Sequence, residues 1–127
     1  MGYNAVDLSH YILNKCTKDG KPITNLRLQS ILYFIQVDFL QRNTVAFYDD
    51  VEACTFGAMP ISFVFHEYAI SGTDRPFIDR IIDEKRDLYP WDISTDIQRE
   101  NGCWAEVFNG GHGNKQIIPV TLMKVNG

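Results

Sequence analysis

A chain of 127 residues, 45% apolar and 22% charged, can bury one hydrophobic core without metal or disulfide support. Its net charge of −4, with no dense Lys/Arg stripe, argues against a domain that holds nucleic acid by charge. No apolar run is long enough to span a bilayer and no charged-then-apolar leader opens the chain, so neither a transmembrane helix nor a secretory signal is expected.

Asn4 is placed to cap a first helix, with Asp7 near its amide-rich end and Ala5, Leu8 and Ile12 on one buried face. Asp19-Gly20 stops it, and Pro22 keeps the connection from continuing as helix. Lys15, Lys18 and Lys21 flank this end and suit the negative pole of the helix dipole.

Residues 23–40 form the most informative stretch. Thr24 caps a second helix, and Ile23 and Leu28 can close a hydrophobic staple over the cap. One apolar arc holds Leu28, Ile31, Leu32, Ile35 and Phe39, and a second holds Leu26, Tyr33, Val37 and Leu40. A helix that is apolar on two arcs has to be wrapped by other elements, so this one reads as the central post of the fold. Arg27, Ser30, Asp38 and Gln41 leave a narrow strip for water, and Gln29 and Gln36, between the arcs, are expected to bond within the fold.

Residues 44–48 and 51–56 read as two short extended pieces joined at Asp49-Asp50, a small hairpin ended by Gly57. Pro60 then suits the first position of a third helix, whose core face is Ile61, Val64, Phe65 and Tyr68. Gly72 ends that helix and Pro76 opens a fourth, with Phe77, Ile78, Ile81 and Ile82 inward. Tyr89-Pro90-Trp91 breaks the pattern, and a short helix follows at about residues 94–100. Trp104, Val107 and Phe108 suggest one more helical turn, residues 109–114 a flexible loop, and Ile117-Ile118 a short extended piece. The expected fold is therefore mainly α, a single compact domain over residues 1–127 around a buried central helix with a small β-hairpin.

Tests for chemistry give no catalytic set. The glycine-rich loop lacks the lysine spacing and the strand–helix setting of a phosphate loop. Cys16, Cys54, Cys103, His10, His66 and His112 contain no close metal-ligand pair. Three widely spaced cysteines fit free thiols in a reduced cytoplasm better than a disulfide scaffold. Cys54 and His66 could meet as a thiol–imidazole pair only if the fold brought them together. No metal, cofactor or enzymatic activity is expected. Phe56, Met59 and Phe63 are surplus to the core face of the third helix, which makes them either a second core contact or a partner site.

The order of segments resembles the Panacea domain family, which includes phage-associated GepA-like proteins and SocA-like antitoxins. The residues that carry the likeness are Ile23, Thr24, Leu26, Leu28, Gln29, Leu32, Tyr33, Phe34 and Gln36, followed by Glu52, Ala53, Phe56 and Gly57 and by the segment through Val64 and Tyr68. It is best defined over residues 5–72, with Trp104 and Ile117 as later matches. The chain departs from the family's pattern at Ser30, where a lysine is usual, at Cys54, where a tryptophan is usual, and at Ala58-Met59-Pro60. The resemblance implies a non-enzymatic antitoxin-like or phage-associated regulator that neutralises a cognate toxin by direct protein contact. The alternative it implies is an adaptor that delivers a bound client to a bacterial protease. The partner surface expected on this reading comprises Phe56, Met59, Phe63 and His66.

Overall fold

The computed structural model describes residues 3–54, 57–60 and 70–127. Among them are α1 (Ala5–Lys18), α2 (Asn25–Gln41), β1 (Val51–Cys54), β2 (Gly57–Pro60), α3 (Arg75–Arg86), α4 (Pro90–Ile97), α5 (Cys103–Phe108), β3 (Gln116–Ile117) and α6 (Val120–Asn126). The fold is mainly α with one small antiparallel sheet. No helix among the described residues is long and apolar enough to cross a membrane.

Both N-terminal caps form as the residue types dictate. The Asn4 side chain accepts from the Val6 amide at 2.8 Å, and Thr24 Oγ1 accepts from the Arg27 amide at 3.2 Å. Helix α2 is the post around which the rest packs. Leu28, Ile31, Leu32, Ile35 and Phe39 of the first arc are all buried. In the second arc Tyr33, Val37 and Leu40 are buried, while Leu26 lies in the first turn and is exposed. Fully burying each such side chain contributes about 2 kcal/mol, more than the ~1 kcal/mol of a cap. The wrapping of α2 therefore outweighs its end signals. Ser30 is a correction to the expected polar strip: it is buried and its hydroxyl donates to the Leu26 carbonyl at 3.2 Å.

A second correction concerns the hairpin. Residues 44–48 form no arm of it. Ala46 and Phe47 are fully buried, and this segment makes a single parallel bridge with Tyr3, whose amide donates to the Ala46 carbonyl at 2.7 Å. The hairpin is instead β1 with β2, in the register Val51↔Pro60, Glu52↔Met59, Ala53↔Ala58 and Cys54↔Gly57. Pro60 thus belongs to a strand and not to the first turn of a helix. An edge strand accommodates it, because a missing N–H there removes no bond from a sheet interior. The expected third-helix face, Ile61, Val64, Phe65 and Tyr68, lies outside the described residues.

β3 completes the sheet on the other side of β1, giving the order β2-β1-β3. Glu52 stands opposite Ile117, and the amides of Lys115 and Ile118 donate to the carbonyls of Ala53 and Val51, each at 2.7 Å. Helix α6 has no counterpart among the expected elements. Its Met123 and the preceding Ile118 are both buried in the common core.

The fourth expected helix begins at Arg75, one residue before Pro76, and buries Ile78, Ile81 and Ile82, with Phe77 partly covered. The next helix starts at Pro90 rather than near residue 94, with Pro90 in its first turn. In α5, Trp104 and Phe108 stack with ring centroids 4.4 Å apart.

Candidate interaction surface

Of the expected partner surface, Met59 lies in β2, which pairs with β1. Three independent ties position the approach to it. Gln36 of α2 reaches the segment before β1: its Nε2 donates to the Phe47 carbonyl at 2.7 Å, and its Oε1 accepts from the Ala46 amide at 2.9 Å and the Phe47 amide at 3.3 Å. Asp49 accepts from the Ala5 amide at 2.9 Å, joining the same segment to the start of α1. Val51 and Ala53 are fully buried, and they anchor one face of β1 on the core.

Strand alternation then turns Glu52 to the opposite face, where it is half-buried and has the exposed Ile117 as its cross-strand neighbour. Met59 occupies the register position opposite Glu52 on the other side. Of the four residues assigned to partner binding, Met59 is therefore placed on an edge strand of the sheet. Phe56, Phe63 and His66 lie outside the described residues.

The two glutamines of α2 behave differently. Gln36 is buried and bonded through both its nitrogen and its oxygen, as the position between two apolar arcs implies. Gln29 is half-buried, and its side-chain oxygen has no hydrogen-bond partner among the described residues.

Two of the three cysteines are enclosed by the scaffold. Cys103 and Cys16 are buried free thiols. Burial pushes the Cys103 thiol above its ordinary range, and the Tyr33 hydroxyl sits 3.0 Å from its sulfur. Burial, followed by the charge of a Cys103 thiolate, also raises the Tyr33 phenol. A thiol held protonated in this way is a poor nucleophile. Cys54 is the last residue of β1, and its suggested partner His66 lies outside the described residues. No group of three or more His, Cys, Asp or Glu side chains among the described residues is arranged to hold a metal ion.

One surface feature was not expected from the sequence, in which Tyr89-Pro90-Trp91 stands only as an interruption between helices. The Tyr89 and Trp91 rings stack nearly parallel, 4.8 Å apart at 4°, and each residue is 64% exposed. The signal that could have revealed it is two aromatics flanking a proline next to several acids. No family model, curated protein or solved structure matches the chain.

Proposed function

We propose that this chain is a non-enzymatic, antitoxin-like or phage-associated regulatory protein that neutralises a cognate toxin by direct binding. The observation that carries the reading is the order of residues from Ile23 to Gln36, followed by Glu52-Ala53 and Phe56-Gly57, in the pattern of the Panacea domain family. The position of Gln36 is consistent with it. This member of the pattern bonds the segment that leads directly into Glu52 and Ala53, so the two halves of the pattern are physically joined. Binding would use Met59 on the edge strand β2 together with Phe56, Phe63 and His66.

The test is co-expression with the product of the neighbouring gene. Rescue of growth from that product's toxicity, together with a purified complex of the two, is the expected result. A neighbour that is harmless, or harmful and neither bound nor neutralised, overturns the reading. If the toxin disappears faster in the presence of this protein and a cellular protease, but is stable when the protease is deleted, neutralisation proceeds by delivery rather than by occlusion.

A further inference from the structure

We infer that the ledge formed by Tyr89 and Trp91 at the α3–α4 junction is a docking surface for an arginine-containing basic segment of a protein partner. This stands independently of the toxin reading, which rests on other residues.

The rings shield one face of each other and are otherwise open to water, and the adjoining Leu88 is also exposed. Tyrosine and tryptophan dominate the energetics of protein interfaces because they offer large, stiff contact area. The ledge is also held in place. Arg27 of α2 donates through one guanidinium nitrogen to the carbonyls of Lys85, Arg86 and Leu88, fixing the chain on the approach to Tyr89. A preformed surface loses less entropy on binding.

The charge around the ledge selects the partner. Residues 83–100 contain six acids against three bases, which accounts for most of the chain's net charge of −4. The bases are all engaged within the chain. Lys85 lies over the Phe34 ring at 4.1 Å and pairs with Asp96 at 3.8 Å, Arg86 is bonded to Asp19 and Asp83, and Arg99 donates to the carbonyls of Asn126 and Gly127. All six acids are exposed. Asp83 pairs with Lys15 and Arg86, Asp87 with Lys21 and Asp96 with Lys85, which leaves Glu84, Asp92 and Glu100 to carry the outward negative charge. Asp92, in the first turn of α4, has no ion-pair partner among the described residues. Two open ring faces beside outward carboxylates suit a guanidinium, which stacks on an aromatic face while hydrogen-bonding a carboxylate at its edge.

The experiment titrates the intact protein with a synthetic peptide of alternating Arg and Leu, and with matched Lys and Glu versions. Binding is followed by calorimetry and by the Trp91 indole N–H signal. The Arg peptide is expected to bind and to shift that signal. Trp91→Ala and Tyr89→Ala should each weaken binding about fivefold or more, and the Lys peptide should bind less tightly. Both side chains are exposed, and circular dichroism checks that the variants keep the fold. Failure of the Arg peptide to bind, equal binding of the Glu peptide, or affinity unchanged in both variants overturns the proposal. So does concentration-dependent self-association that Trp91→Ala abolishes, since the occupant would then be a second copy of this chain.

Discussion

Gln36 and Phe47 bond to each other in both directions: the side-chain amide nitrogen donates to the Phe47 carbonyl at 2.7 Å while its oxygen accepts from the Phe47 amide at 3.3 Å. Both residues are buried, so water cannot replace a lost partner. Gln36→Leu keeps the volume but strands at least the Phe47 carbonyl and the Ala46 amide, and a buried unsatisfied group costs about 1–3 kcal/mol. The variant should lose about 2–4 kcal/mol in urea unfolding, with faster hydrogen exchange at Ala46. Gln29→Leu removes a side-chain carbonyl that has no partner among the described residues and should be far milder.

Arg27 caps the end of α3 from a different helix, reaching the carbonyls of Lys85, Arg86 and Leu88. Arg27→Ala should cost about 1–2 kcal/mol and accelerate amide exchange at Asp92 and Ile93, which bond to the Tyr89 carbonyl. Arg27→Lys keeps the charge that favours a helix C-terminus but loses the planar guanidinium that sets its donor among the three carbonyls. Partial recovery is the expected result.

Alkaline pH should weaken the fold through its tyrosines. Burial, reinforced by the bond to Asp79, pushes the Tyr11 phenol up from 10.0 to about 12, and Tyr3 is raised by burial and by Asp74. A group raised in the folded state adds stability that is complete below its unfolded pKa. That contribution is lost as pH climbs through the folded value, because the unfolded chain releases the proton first. Stability should therefore fall between pH 10 and about 12. In urea unfolding across that range, Tyr11→Phe should show a shallower decline than the parent.

Two glycines in the loop after α5 should respond differently to alanine. At Gly113 a Cβ would sit 1.7 Å from the Val107 carbonyl oxygen, so backbone has to move. Gly113→Ala should cost about 2–3 kcal/mol. Gly110 has open space around it but a φ of +66°, and Gly110→Ala should cost about 1 kcal/mol through backbone strain alone. Thermal unfolding of the pair separates steric exclusion from conformational preference.

Helices with strong local signals are legible in the sequence itself. Asn4, Thr24 and Pro76 mark ends, and the spacing of Leu28, Ile31, Leu32, Ile35 and Phe39 is unmistakably helical. Residues 44–48 mislead because a short apolar run of β-forming residues looks the same whether it pairs with a neighbouring strand or is absorbed by a distant side chain. Gln36 absorbs it here. Pro60 suits a helix start and an edge strand equally, and only the pairing with Val51 decides. Helix α6 has seven residues, too few for a period to stand out, and its place depends on the groove that α2 offers. The Tyr89–Trp91 ledge is hidden for a related reason: exposure is a property of the folded surface, and the string of letters shows only two aromatics beside a proline.

The middle position of β1 in the sheet also sets an order of assembly. During translation β1 can meet β2 as soon as both have emerged. It can meet β3 only after α3, α4 and α5 have been made, because Ile117 pairs with Glu52 from the far end of that stretch. Until then one side of β1 carries unsatisfied backbone groups, a template for any passing strand. The nascent chain is therefore most prone to misassociation in this interval, and closure by residues 115–118 is a slow, long-range step relative to the helices.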